Sequence, residues 1–314
     1  MRYYLAPLEG ITDSIYRRLH HKYFPGIDRY YMPFLSPTIH RCLTHKEDRE
    51  LPMADSVDFL AVPQILTKVP EDFLWAAQVC ADRGYTEVNL NAGCPSGTVV
   101  SKGKGAGMLR SPEELDRFLD AVFAECPIPI SVKTRLGVEN PEDFAAIVEV
   151  YNRYPIRELT IHPRVRKDFY KEPVREEWFR YAYEHSKNPL CYNGNLITPA
   201  DCAGVAERYP GVEAVMVGRA LIGDPGMFTP GGTTPESLKA FHDELMAEYI
   251  VAFGSARNAM FRLKENWHFL YLRFDGAEKL WKRLRKTTDI DEFRAITQEI
   301  FTTLPLAPSL RADW

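Results

Sequence analysis

No apolar run in the sequence approaches the ~18 residues that a membrane-spanning helix requires, so a helical membrane protein is excluded. The amino terminus, Met1-Arg2-Tyr3-Tyr4-Leu5-Ala6-Pro7, has neither the apolar core nor the cleavage site of a secretory signal. Cysteine is sparse: Cys42, Cys80, Cys94, Cys126, Cys191 and Cys202 form no C-x-x-C pair and no regular spacing. That pattern excludes a disulfide framework and a zinc site, and fits a reducing, cytoplasmic setting with no metal expected. Repeats of the solenoid kind are absent as well. Neither charge dominates, since 39 Lys and Arg against 43 Asp and Glu leave a net charge of −4. A uniformly basic nucleic-acid coat is thereby excluded, but a local basic face is not.

What is present is an alternation of short apolar runs and amphipathic stretches. Eight such runs follow one another: Tyr3 to Pro7, Asp28 to Phe34, Phe59 to Ile65, Glu87 to Leu90, Ile128 to Lys133, Leu159 to His162, Leu190 to Gly194 and Ala214 to Arg219. Helical patterns separate most of them, opened by cap residues such as Thr12 or Asp13 and by helix-starting prolines such as Pro70, Pro112 and Pro199. Eight strands with intervening helices predict an α/β fold, a (β/α)8 TIM barrel. The turn-rich stretch 229–235 then breaks the pattern, and 236–304 reads as helix throughout, with apolar residues three and four apart. The expected organisation is therefore a barrel over 1–228, a linker, a helical domain of about four helices and a tail over 305–314.

The chemistry gathers at the ends of the strands. The run Val88-Asn89-Leu90-Asn91-Ala92-Gly93-Cys94-Pro95-Ser96 reads as a buried strand stopping at a small-residue turn. Gly93 permits the sharp turn and Pro95 ends the ladder, which leaves Cys94 at a strand's carboxyl edge. In α/β proteins that edge handles ligands. Taken singly, Cys94 equally reads as a small buried hydrophobe. Other strand ends are also polar, with Gln64, Lys133, His162 and Arg164, Asn193-Gly194-Asn195, and Gly218-Arg219. A lysine closing Ile130-Ser131-Val132-Lys133 needs an anion or a mouth to open into. Gly218-Arg219 ends the last strand, where barrels bind phosphate.

In their order along the chain these residues resemble the tRNA-dihydrouridine synthase family, flavin-dependent enzymes that reduce uracil bases in RNA. The resemblance rests on Ala6-Pro7-Leu8-Glu9-Gly10 with Thr12, Asp13 and Arg17, then Gln64, then Asn89-x-Asn91-x-Gly93-Cys94-Pro95-Ser96 with Val100, Gly103, Gly105 and Ala106. Val132-Lys133-x-Arg135-Leu136-Gly137, His162-x-Arg164, Asn193-Gly194-Asn195 and Val217-Gly218-Arg219 complete it. The chain departs from the family pattern at Leu8, Gly107, Met108 and Val165, and none of these changes removes a reacting group. The resemblance implies FMN as cofactor and NADPH as reductant. Ala6, Pro7 and Leu8 would face the flavin ring, and Gln64 and Lys133 its edge. Asn193, Gly194, Asn195, Gly218 and Arg219 would hold the phosphate. His162 and Arg164 would bind flavin or substrate, with Asn89 and Asn91 on the substrate side. Hydride delivery to C6 of a uracil leaves C5 needing a proton. Cys94, with a reference thiol pKa of about 8.5, is implied as that acid.

A uracil in folded RNA must be flipped out before a barrel mouth can reach it, so a grip on the RNA is required. The stretch 257–286 is rich in Lys and Arg, with Lys279, Lys282, Arg283, Arg285 and Lys286 clustered at its end. These five are the expected RNA contacts of the helical domain, with tRNA the expected partner and ribosomal RNA an alternative. Two other readings compete: an FMN barrel acting on a free pyrimidine, in the manner of dihydroorotate or dihydropyrimidine dehydrogenases, and a non-catalytic RNA-binding protein on a barrel scaffold.

Overall fold

The computed structural model describes residues 1–312. Nine parallel strand segments form one sheet, and they make eight staves because Pro63 interrupts one of them. The staves are β1 (Arg2–Leu5), β2 (Arg29–Tyr31), β3 (Ala61–Val62 with Gln64–Ile65), β4 (Val88–Ala92), β5 (Ile130–Arg135), β6 (Leu159–His162), β7 (Leu190–Tyr192) and β8 (Ala214–Val217). Pro63 has no N–H to give, so β3 divides its pairing. Val62 pairs with Tyr31 of β2, whereas Gln64 pairs with Asn89 of β4. The ring closes where Leu5 of β1 lies in register with Val217 of β8. The fold is thus a TIM barrel, and its strand order follows the order of the apolar runs.

Capping chemistry sets the intervening helices. Asp13 accepts the Tyr16 amide at 2.9 Å and starts the helix Ser14–Tyr23. Thr198 and Asp201 form a reciprocal capping box ahead of Pro199–Arg208. The polar stretch after β2 holds a short helix, His45–Glu50, with its own capping box between Thr44 and Glu47. These short-range signals are what orient the loops on the barrel's carboxyl face.

Four helices follow the barrel: Pro235–Phe253, Ala256–Leu270, Glu278–Leu284 and Ile290–Thr303. They dock on the first barrel helix, where Phe241 meets Tyr16 edge-on at 5.5 Å and Phe24 at 5.3 Å. The Tyr249 hydroxyl donates to the capping carboxylate of Asp13 at 3.2 Å. Trp267 is fully buried, and its indole N–H donates to His242 at 3.1 Å. Residues 305–312 are not loose. Leu310 packs over Gly223, and Ala307 donates its amide to the Arg273 carbonyl at 2.8 Å. Asp313 and Trp314 lie outside the described residues. No helix among the described residues is long and apolar enough to cross a membrane.

Candidate active site

The carboxyl edge of the barrel opens into a cleft with two adjoining lobes. One, of about 540 Å³, is lined by Ala6, Pro7, Leu8, Asn193, Gly194, Asn195, Gly218 and Arg219. The other, of about 800 Å³, is lined by Pro33, Phe34, Gln64, Asn91, Cys94 and Arg135. Pro7, Leu8, Lys133, His162 and Tyr170 border both lobes.

Cys94 is fixed by its own loop. The Asn91 side-chain Oδ1 accepts the amides of Gly93 at 3.1 Å and Cys94 at 2.9 Å, closing the turn after β4. The Ala106 amide returns to the Cys94 carbonyl at 3.1 Å. Between them stands Gly105 at φ +57°, where an added Cβ would lie 2.9 Å from the Cys94 Cβ. Glycine is required there for its backbone angle and for the close approach. Burial pushes the Cys94 thiol up, against the opposing pull of the Ser96 amide and of the Arg135 and Lys133 charges. The sulfur is accordingly a protonated thiol at neutral pH.

A row of amides runs beneath it. Asn91 donates to Gln64 at 2.7 Å, Gln64 to Asn89 at 2.8 Å, and Asn89 to the Ser131 hydroxyl at 2.9 Å. Each amide donates to the next, so each orientation is determined by its neighbours. Asn89 is fully buried and does not line the cleft. It holds Gln64 from behind the lining.

The other feature is a concentration of cations. Lys133 donates to the Asn193 side-chain oxygen at 2.7 Å, and Asn193 in turn donates to the Met216 carbonyl at 2.7 Å. Burial, reinforced by neighbouring Arg135, lowers the Lys133 pKa to about 8. Arg135 spans the mouth, reaching the carbonyls of Gly93 at 3.0 Å and Phe169 at 2.9 Å. Arg164 is only 1% exposed, and its guanidinium is spent on His162 Nε2 at 2.8 Å, Asn195 at 2.9 Å and the Glu172 carbonyl at 2.5 Å. It lines neither lobe and holds His162 and Asn195 from behind. A guanidinium can only donate, so His162 Nε2 accepts and its ring proton sits on Nδ1. Burial first, then the charges of Arg135, Lys133, Arg164 and Arg219, keep that imidazole neutral.

Arg219 stands at the far end, its guanidinium 4.7 Å from the centre of the Tyr170 ring. Burial lowers its pKa to about 10; Tyr170 opposes the shift and the charges of Arg164 and Arg135 add to it. Cations that depress one another's pKa in a shared cleft make a site that an anion would relieve. The slot beside them is narrow, since a Cβ added to Gly218 would lie 3.4 Å from that of Ala6. The small residues Ala6 and Gly218 beside this positive charge suit a ligand with an anionic group at that end.

Several lining residues escaped the sequence reading, Arg135 and Tyr170 among them. Arg135 was visible in the motif but had no assigned part, and Tyr170 sat unremarked in a charged loop. Its position, an aromatic within the loop after β6, was the available signal.

The helical region divides its charge. Lys279, Lys282, Arg283, Arg285 and Lys286 are exposed, and Arg283 lies 4.0 Å from Glu292 and 3.9 Å from Glu299. Other cations of the stretch are used internally: Arg273 pairs with Asp224 at 3.1 Å, Arg262 with Asp13 at 3.7 Å, and the Lys264 ammonium bonds to the Thr287 carbonyl. The interleaved aromatics are mainly core, with Trp267, Phe274 and Trp281 buried and Trp281 stacked on Tyr271 at 5.1 Å.

Comparison with known proteins bears on this arrangement. The family model described as dihydrouridine synthase (Dus) matches residues 4–303. The chain is 30% identical over 224 residues to tRNA-dihydrouridine synthase B of Proteus vulgaris, covering 71% of this chain and 68% of the relative. It is 26% identical over 321 residues to a probable tRNA-dihydrouridine synthase 1 of Synechocystis, covering 96% and 86%. Among solved structures, morphinone reductase superposes with a TM-score of 0.53 at 14% identity, over 72% of this chain and 84% of that one. An old yellow enzyme homologue from Zymomonas mobilis gives 0.51 at 13% identity, over 71% and 86%. These two likenesses speak to the barrel fold alone.

Proposed function

The chain belongs to the dihydrouridine synthase family of oxidoreductases, and on that premise we propose that it reduces the C5–C6 double bond of uridines in tRNA. The cofactor is FMN and the reductant NADPH. When bound, FMN supplies a hydride to C6 of the uracil, and NADPH restores that hydride.

The chain's own residues do the rest. Ala6, Pro7 and Leu8 wall one side of the slot, and Gln64, held by Asn89 and Asn91, presents its amide to the ring edge. Lys133 offers a cation at the same edge, steadied by Asn193. Gly194, Asn195, Gly218 and Arg219 hold the phosphate, and Arg164 keeps Asn195 and His162 aligned behind them. His162 offers a neutral Nδ1–H. Cys94 gives its proton to C5, becomes a thiolate, and recovers a proton from solvent. Hydride at C6 and proton at C5 together account for the two hydrogens gained. No strong tuning of the sulfur is needed, because burial already keeps it protonated.

A base inside a duplex cannot reach this cleft, so the uridine must be extruded and its strand held. The exposed cations from Lys279 to Lys286 supply part of that hold. A free pyrimidine would leave this basic face without purpose. The observation that carries the reading is the thiol of Cys94 facing the same cleft as the Lys133–Arg219 cation row. The test is direct: purified protein with FMN, NADPH and tRNA transcribed without modifications, analysed by nucleoside mass spectrometry. Dihydrouridine should accumulate with the tRNA and not with free uridine or uracil. Reduction of the free base at a comparable kcat/KM would return the small-molecule reading.

A further inference from the structure

A second basic surface lies across the barrel mouth from the helical region. Its ingredients come from two loops on the carboxyl face. The loop after β4, residues 93–111, carries Lys102, Lys104 and Arg110 and no carboxylate at all. The connection after β3 adds Lys68, again with no acid before the next helix. Folding brings these together: a Cβ added to Gly103 would sit 3.4 Å from the Lys68 ammonium. Lys68 thus leans over the glycine between Lys102 and Lys104. Arg166 joins from the loop after β6, donating to the Pro95 carbonyl at 3.1 Å, one residue past Cys94.

These lysines have no partner to neutralise them. Lys68 and Lys102 are exposed and Lys104 is half-buried, and none forms an ion pair among the described residues. Asp72, in the first turn of the following helix, pairs with Arg41 at 3.3 Å. In a chain of net charge −4, three amines gathered without a carboxylate within their own loops are not an average surface.

Their position matters more than their number. In the closed ring, β4 stands four staves from β8 in either direction, which is diametrically opposite. The four C-terminal helices pack against the elements after β1 and β8, through Phe241 on Tyr16 and through the Phe269 carbonyl, which a Cβ added to Gly223 would approach to 3.1 Å. The helical region that carries Lys279–Lys286 and the lysine lip therefore attach on opposite sides of the barrel ring, with Cys94 in the lip's own loop. Extruding a nucleotide rotates it about its backbone, and the strand must be held on both sides of the opening while stacking is lost. We propose that Lys68, Lys102 and Lys104 bind backbone phosphates of the tRNA strand next to the extruded uridine, completing a two-sided grip. The inference rests on the tRNA reading above and extends it to a surface outside the cleft.

The test is the triple variant Lys68→Gln, Lys102→Gln, Lys104→Gln. The side chains make no hydrogen bonds among the described residues, so circular dichroism and FMN content should match the wild type. Binding of unmodified tRNA transcript is titrated from about 0.05 to 0.2 M monovalent salt. Three lost phosphate contacts should flatten the logarithmic salt slope by about 2 to 3, and weaken binding about 100- to 500-fold near 0.1 M. The matching triple Lys→Arg variant should keep the wild-type slope. KM for NADPH should stay unchanged in both. Unchanged tRNA affinity and slope in the Gln variant would overturn the proposal while leaving the tRNA reading intact. A raised KM for NADPH with tRNA affinity unchanged would overturn it too, reassigning the lip to the dinucleotide's phosphates. Absence of tRNA binding by the wild-type protein would sink the underlying reading and the lip with it.

Discussion

Replacing Arg219 with alanine isolates the phosphate end of the cleft. The guanidinium already sits near Arg164 and Arg135, and burial with those charges lowers its pKa to about 10. Without an anion, removing it forfeits the contact with the Tyr170 ring, about 0.5–1 kcal/mol. It also relieves repulsion from the neighbouring cations. The two effects oppose, so the apoprotein should lose less stability than the FMN complex. With an anion bound, the balance is different. Losing one charge-assisted hydrogen bond costs roughly 1.5–3 kcal/mol, which is a loss of FMN affinity of about 10- to 140-fold. Flavin fluorescence titration of the apoprotein measures the affinity, and urea unfolding with and without FMN measures both stabilities. The stabilisation conferred by saturating FMN should fall by the same 1.5–3 kcal/mol, by mass action. Unchanged FMN affinity would put the phosphate elsewhere. An apoprotein destabilised as much as the complex would show that Arg219 is structural.

Lys133 gives a pH signature. Its folded pKa is lowered to about 8, so the ammonium is present below that pH and lost above it. FMN affinity should be flat below pH 8 and fall about tenfold per unit above it; Lys133→Met should bind more weakly and show no such break. Gly105→Ala forces a Cβ to within 2.9 Å of Cys94 at a φ of +57°. It should displace the thiol and cut uridine reduction while FMN affinity, set on the other side of the cleft, is kept. Changing Lys282, Arg283 and Arg285 together to Glu should weaken tRNA binding and flatten its salt dependence, with NADPH oxidation by oxygen unaltered. Equal slopes for variant and wild type would reduce that face to solvated surface.

The barrel was legible because each stave is a short apolar run closed by a polar residue, and the helix starts carry explicit caps such as Asp13 and Thr198. Pro63 within the third run is a register device, since its carbonyl accepts the Asn89 amide at 2.8 Å while its missing N–H divides the ladder. Cys94, Lys133 and Gly218-Arg219 were legible for the same reason: chemistry at strand ends has a fixed address. Less legible was which polar residues touch the cleft and which stand behind it. Asn89 and Arg164 share motifs with lining residues, and only side-chain direction separates them. The helical stretch misled in part, because linear charge counting treats Arg262, Lys264 and Arg273 as surface. Each instead closes an internal contact, on Asp13, Thr287 or Asp224. The lysine lip was hidden because Lys68 and Lys102–Lys104 are distant in sequence and meet only when β3 and β4 pair.

The central claim is that Cys94 is the proton donor of a uridine reduction. The direct measurement compares wild type and Cys94→Ala, both loaded with FMN, on unmodified tRNA with NADPH in excess. Two rates are followed together: NADPH oxidation with oxygen as acceptor, and dihydrouridine per tRNA by nucleoside mass spectrometry. The variant should bind FMN normally and oxidise NADPH within about twofold of wild type, while dihydrouridine formation falls by about 10²- to 10⁴-fold, the usual worth of a positioned general acid. A variant that forms dihydrouridine at the wild-type rate would contradict the assignment and return Cys94 to the packing of its loop.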